Sequence, residues 1–368
     1  MKIEAAHVYD SSKRKFINKR ICAENGVFTD VSPVDTADDI YVIPGLIDVH
    51  THGRSGYDIM AADTSELSAL SVEYAKTGAT TVFPTVMTAP MKNVAEAIRR
   101  IKSTKTAGAR FLGIHVEGPF ISEKKPGCHN ISDIRTPSEY LLASIINDAS
   151  PLKTHFTLAP EKCSEGLIAE MSKTATIGLG HTAADYKTAM KAVGEGARSF
   201  THTFNAMSPL SHREPGVVGA ALSSDAYAEF ICDGYHISPE VIDIAYRAKK
   251  NAKDKFVLIT DSLSVAGLSD GEYEMNGIRF NLSGKSAMRI DGVIVGSVLD
   301  MMTAVKNLAS FAGISFENAL ACATKNPAEM VGIYDKVGSI EVGKHADLVV
   351  LDKNFDIISV YVGGKKIV

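Results

Sequence analysis

Eight short β-type runs, most of them followed by a stretch suited to helix, fill the middle of this 368-residue chain. They are LIDVHTH (46–52), ATTVFPTV (79–86), FLGIHVEG (111–118), THFTLAPE (154–161), ATIGLGH (175–181), RSFTHTF (198–204), AEFICDG (228–234) and KFVLITD (255–261). The runs are rich in β-branched and aromatic residues and are mostly bounded by Gly or Pro. The stretches between them include TSELSALSVEYAKTG, where Thr64 is expected to cap the helix and Gly78 to end it. APMKNVAEAIRRIKSTKTAG and AADYKTAMKAVGEG read the same way, and SVLDMMTAVKNLASFAG supplies a helix after the eighth run. This order predicts an α/β fold, a (β/α)8 TIM-like barrel spanning residues 44–337. A doubly wound sheet usually has fewer strands and often a glycine-rich first turn, which this sequence lacks. LSGKS (282–286) resembles the end of a phosphate loop, but the earlier glycine that motif needs is Arg279.

The two ends of the chain have a different texture. Residues 1–43 and 338–368 hold strand-like segments with turns and no helical stretch. Neither is long enough to bury a good core alone. Together they are expected to form one small β-sandwich, a discontinuous domain interrupted by the barrel. Residues 264–296 read as an insertion after the eighth strand with hairpin character.

Composition narrows the function classes. With 45% hydrophobic and 22% charged residues, the chain is an ordinary globular protein. Its net charge of −4 and lack of a long basic run argue against a nucleic-acid partner. No apolar stretch approaches membrane-spanning length, and MKIEAAHVYD does not read as a signal peptide. The five cysteines are scattered, without a CxxC pair, which suggests reduced thiols and a cytoplasmic location.

In a (β/α)8 barrel the active site is built at the C-terminal ends of the strands. His50 and His52 lie two apart in the first run, so their imidazoles share a face, and Asp48 is expected to point with them. The third run carries Glu117, the fifth ends at His181, the sixth holds His202 and the eighth ends at Asp261. A lone His or Asp at a strand end is usually a satisfied polar group or a helix cap. Four histidines and two carboxylates at one face of one barrel point instead to a divalent metal. Nitrogen and carboxylate ligands without thiolate suit Zn2+ first, with Fe2+ and Mn2+ as alternatives. Such a site acidifies water and polarises carbonyls, which makes hydrolysis the natural chemistry.

PGLIDVHTHG (44–53), the TD that closes the eighth run and GSIEVGKHADLVVLD resemble the amidohydrolase superfamily. Within it, HVEGPF (115–120), KKPGCHN (124–130), LAPE (158–161), GHTAAD (180–185), THTFNAMSPLSHREPG (201–216), ICDGYH (231–236) and LITDS (258–262) together resemble the family of N-acetylglucosamine-6-phosphate deacetylases. The match runs in order over nearly the whole chain. The resemblance implies Glu117, His181 and His202 as principal metal ligands and Asp261 as the catalytic acid/base. It implies that Asn205 and Ala206 contact the sugar phosphate and that His129 and His236 bind substrate. Arg213 matches a phosphate-binding arginine that the family can supply from the neighbouring subunit, which implies a homodimer. Seen alone, Arg213 reads as a partner for Glu214.

Some members of that family carry Gln and Asn where this chain has His50 and His52, and bind one metal. Both histidines are present here, so the resemblance allows one or two ions per chain, with Glu117 as the bridge. The reaction implied is hydrolysis of the acetamide of N-acetyl-D-glucosamine 6-phosphate to D-glucosamine 6-phosphate and acetate, in amino-sugar catabolism. The galactosamine epimer is the nearest alternative substrate. Cyclic-amide hydrolases of the superfamily often use a modified strand-four lysine, and THFTLAPE has none. A silent barrel serving as a binding subunit would be expected to lose ligands, and this chain keeps them.

Overall fold

The structure, a computed structural model, describes residues 1–275 and 278–368. Eight parallel strands form the central sheet: β1 (Leu46–Thr51), β2 (Ala79–Met87), β3 (Gly113–Glu117), β4 (Lys153–Leu158), β5 (Thr176–Leu179), β6 (Ser199–Phe200), β7 (Tyr227–Ile231) and β8 (Phe256–Ile259). They are hydrogen-bonded in chain order, with Arg110–Phe111 as a short extra partner of β2. β1, β2, β3, β7 and β8 are buried along their whole length, as a parallel sheet covered on both faces requires. The expected eight-stranded barrel is therefore present.

The seam between β8 and β1 closes differently at its two ends. At the C-terminal end the Asp261 amide donates to the His50 carbonyl at 2.8 Å and the His52 amide to the Ser262 carbonyl at 2.8 Å. At the other end Cys322 and Ala323 stand between the strands and accept from Leu258 and Ile47. The C-terminal face of the barrel thus has the tighter closure.

Helices cover the outside. Helix Thr64–Lys76 is capped by Asp63 rather than Thr64: the Asp63 carboxylate accepts from the Ser65 and Glu66 amides while the Glu66 side chain accepts from the Asp63 amide. This reciprocal pair satisfies three otherwise orphaned donors, and an N-cap of this kind contributes about 1 kcal/mol. Thr64 is the first helical residue, because the carboxylate one position earlier accepts better than a hydroxyl. No helix among the described residues is long and apolar enough to cross a membrane.

Strands from both chain ends join one sheet of seven, in which Asp38–Pro44 from the N-terminal segment pairs with Leu348–Leu351 from the C-terminal one. Side chains alternate between two cores. Val42, Leu348 and Val350 pack with Ala5, Val8, Ile21 and Phe28, whereas Ile43, Val349 and Leu351 join the barrel's apolar cluster. The insertion after β8 is an antiparallel set of four short strands between Gly271 and Gly296. Residues 276 and 277 of the expected insertion lie outside the described residues.

Candidate metal centre and active site

Several of the predicted site residues sit just past the end of a strand, where the chain turns sharply. His181, His202 and Asp261 follow β5, β6 and β8 by two residues and have φ of 46°, 32° and 50°. Non-glycine residues in this left-handed region cost about 1–3 kcal/mol each and persist where surrounding contacts over-determine them. The turn swings each side chain over the mouth of the barrel. Gly53, after β1, has φ of 157°, and a Cβ there would stand 2.1 Å from the Tyr57 carbonyl oxygen. Only glycine fits the turn that follows His52.

Glu117, at the end of β3, is the centre of the arrangement. Its Oε1 lies 3.0 Å from His202 Nε2, 3.2 Å from His181 Nε2 and 3.4 Å from His50 Nε2. Its Oε2 lies 3.1 Å from His52 Nε2 and 3.5 Å from His129 Nε2. Asp261 Oδ1 is 3.3 Å from His50 Nε2 and 3.2 Å from His52 Nε2. The donors fall into two groups of metal-binding compactness, His50–His52–Asp261 and Glu117–His129–His181.

The donor set fits divalent metal. Tetrahedral ligands about 2.1 Å from an ion stand roughly 3.4 Å from one another, the spacing seen here. Hydrogen bonding alone does not account for five imidazoles around one carboxylate, which offers about four lone-pair sites. His181 is already prepared: its Nδ1 must donate to the Lys125 carbonyl at 2.9 Å, which leaves Nε2 bare toward Glu117. Burial pushes Glu117 up, but His50 and the bonds from His129, His181 and His202 outweigh it and hold the carboxyl well below its usual range. Burial likewise raises Asp261, yet His50 and His52 bring it down to about 2. Both carboxylates are ionised at neutral pH and ready for a cation.

A match to the amidohydrolase family covers residues 41–367. The chain belongs to that family. It is 36% identical to the N-acetylglucosamine-6-phosphate deacetylase of Bacillus subtilis over 87% of this chain and 83% of the relative. It is 31% identical to the N-acetylgalactosamine-6-phosphate deacetylase of Escherichia coli O157:H7, over 93% and 92% of the two chains. The N-acetylglucosamine-6-phosphate deacetylase structure from Thermotoga maritima superposes with a TM-score of 0.90 at 30% identity, covering 100% of this chain and 99% of the other. A mutant of the Mycobacterium smegmatis enzyme in complex with N-acetyl-D-glucosamine 6-phosphate gives 0.91 at 25% identity, with 100% and 99% covered.

The other predicted residues of this amidohydrolase are placed less uniformly. His129, expected only to touch substrate, is buried among the candidate metal donors. Asn205 and Ala206 form the turn beyond His202: Asn205 Nδ2 donates to the His202 carbonyl at 3.2 Å, and the Ala206 carbonyl accepts from Thr182. His236 is oriented by Asp233, whose Oδ2 is 2.6 Å from its Nδ1. Arg213 lies on an exposed loop and forms no ion pair among the described residues, with Glu214 or any other carboxylate. Asp48 does not point with the histidines. Its carboxylate is taken by Thr260 Oγ1 at 2.5 Å and by the His50 amide at 3.2 Å, so it braces the β1–β8 seam. Cys128 lines a cavity of about 840 Å³ beside His129, and burial pushes its thiol up to about 12, so it stays protonated.

The sequence reading missed a layer of polar groups inside the barrel. His115, His155, Thr157, Thr201 and Glu229 are fully buried below the metal donors. His115 bridges Thr85 and Thr157, and its ring stacks on His155 with centroids 4.6 Å apart. Strand alternation was the available signal: His115 is two residues before Glu117 and so shares its face.

Proposed function

We propose that this chain hydrolyses the acetamide of N-acetyl-D-glucosamine 6-phosphate, giving D-glucosamine 6-phosphate and acetate. One observation carries the reading: five imidazole Nε2 atoms lie within 3.5 Å of Glu117, with Asp261 beside them at the mouth of the barrel. The similarity to amino-sugar-phosphate deacetylases over most of the chain supports the substrate class. Glu117, His181 and His202 would hold one divalent ion, with His50 and His52 offering a second position that Glu117 bridges. Zn2+ is favoured by the nitrogen-and-carboxylate donor set, ahead of Fe2+ and Mn2+. Such an ion supplies Lewis acidity toward the amide carbonyl and toward water.

The chain's own groups carry the protons. Asp261 accepts the proton of the attacking water as the new C–O bond forms. As the C–N bond breaks, Asp261 returns that proton to the leaving amine, acting first as base and then as acid. In this reading His129, beside Glu117, helps to stabilise the oxygen on which negative charge develops. In this reading Asn205, Ala206 and His236 contact the sugar phosphate, and Arg213 grips the phosphate with its planar fork. Because Arg213 is exposed and unpaired among the described residues, we assign it to the neighbouring site of a homodimer. Phosphate held far from the reacting bond orients the amide over the centre.

The relative that acts on the galactosamine epimer favours a second reading, the same reaction on that epimer. Acetate release from both 6-phosphorylated epimers, using protein loaded with metal and then desalted, decides between them. Faster turnover of the glucosamine epimer is expected, and no acetate from either would overturn the assignment.

A further inference from the structure

Beneath the donors, strand β7 places a carboxyl group that the proposed reaction does not use. Glu229 is 0% exposed, and neither of its carboxylate oxygens makes a well-formed hydrogen bond in the protein, although the Ser199 side chain lies close enough to favour its charged form. Beside it stands His155, an imidazole that burial keeps neutral, with Nε2 3.4 Å from Oε1. His202 has the opposite deficit. Its Nε2 faces Glu117 at 3.0 Å, which leaves Nδ1 on the far side of the ring, buried and without a protein partner. Each such orphan is destabilising if left unmet.

The two deficits lie on neighbouring strands. Phe200 of β6 pairs with Ala228 of β7, which sets the residues just beyond Phe200 beside Glu229. The Thr203 amide donates to the Glu229 carbonyl oxygen at 2.7 Å, so the strained turn that carries His202 is already fastened to β7 at this residue. Nearby, a Cβ on Gly178 would stand 2.9 Å from both His155 Nε2 and Ser199 Oγ, so only glycine keeps this polar layer open. His181 solves the same problem through the Lys125 carbonyl, and His202 has no such carbonyl.

We propose that Glu229 is a positioning residue for His202, joined to its Nδ1–H through one buried water and steadied from the other side by His155. A ligating histidine that donates its second ring proton to an outer acceptor has its tautomer and orientation fixed, and removing the acceptor typically weakens metal binding 10- to 100-fold. This inference rests on the metal-centre reading above.

The test is metal affinity, measured by competition with a chromophoric chelator, alongside the melting temperature of metal-free protein. Glu229→Met keeps the volume and removes every acceptor. Burial pushes the Glu229 carboxyl up to about 8, so at neutral pH it is mostly a neutral acid whose carbonyl oxygen still accepts. In Glu229→Met, Zn2+ affinity should fall about 10- to 100-fold, while the metal-free melting temperature holds or rises, since the variant removes a buried polar group that lacks a well-formed partner. A merely structural role would move the melting temperature and leave the affinity alone. Glu229→Gln keeps an accepting oxygen and should lose less than a third as much affinity. Parental affinity in Glu229→Met, or equal losses in the two variants, overturns the proposal. Ring-nitrogen NMR of the metal-loaded parent needs no variant: the His202 Nδ1 proton should exchange slowly, and exchange at the solvent rate also overturns it. A parent that binds no Zn2+ would instead sink the metal-centre reading itself.

Discussion

His52 Nε2 and Asp261 Oδ1 stand 3.2 Å apart across the seam where the first and eighth strands close the barrel. The seam hydrogen bonds and the left-handed turn at Asp261 fix this approach, so the carboxylate faces the donors without being free to swing away. Asp261→Asn keeps the shape and removes the proton acceptor. Turnover should fall by about 10²- to 10⁴-fold, with metal content and substrate affinity retained. Steady-state kinetics with elemental analysis checks this, and near-parental turnover would remove Asp261 from the proton path.

Arg213→Ala should raise KM for the phosphorylated sugar roughly tenfold or more, as expected for loss of a charge-assisted contact, and leave the unphosphorylated sugar little changed. If the arginine serves the neighbouring subunit, two variants that are both poorly active at substrate concentrations below the parental KM should rescue each other there. Mixing Arg213→Ala with Asp261→Asn under exchange conditions would restore about a quarter of the parental sites in a C2 dimer. No recovery despite demonstrated exchange would place Arg213 in its own subunit's site.

The barrel was legible in the sequence because strands buried on both faces read as short apolar runs with helices between them. His50 and His52 were legible for a simpler reason, the two-residue period of a strand. The exact strand ends were not. The runs reaching His181, Phe204 and Asp261 were read as extended, yet the strands stop at Leu179, Phe200 and Ile259. Functional geometry there overrides local propensity, since the left-handed turns are held by contacts distant in sequence. His129 sits in a loop whose path no periodicity predicts. Glu229 was hidden because a fully buried strand gives no polar–apolar contrast between its faces.

His155 should shape the acid limb of stability. Burial is the main cause that lowers it, to about 3, against an ordinary value of 6.5. Below about 6.5 the unfolded chain takes up a proton that folded His155 refuses, so stability is full above that value and falls as pH drops toward 3. One such group contributes a slope of up to about 1.4 kcal/mol per pH unit. His155→Gln should flatten the limb between about pH 6 and 4 in urea melts of metal-free protein. An unchanged slope would mean that His155 accepts a proton in the folded state.

The number of ions turns on His50 and His52. Their Nε2 atoms lie 3.3 Å apart, and each is within 3.4 Å of both Glu117 and Asp261. On the other side of Glu117, His181 and His202 share its Oε1. A carboxylate with donors on both oxygens suits two ions, whereas one ion would leave His50 and His52 to hydrogen-bond with each other and with the carboxylates. Burial works against a charge on His52, but Asp261 and Glu117 outweigh it and raise the ring to about 10. In metal-free protein that ring therefore carries a proton, which an ion must displace. Two consequences follow for the two-ion site. Loading the second ion should release a proton, measurable in weakly buffered solution. Changing His50 to Gln and His52 to Asn together should lower metal content from about two to about one per chain, with the fold intact by circular dichroism. If the parent, loaded with excess metal and desalted, holds a single ion and anomalous diffraction shows none beside His50 and His52, the second position does not exist.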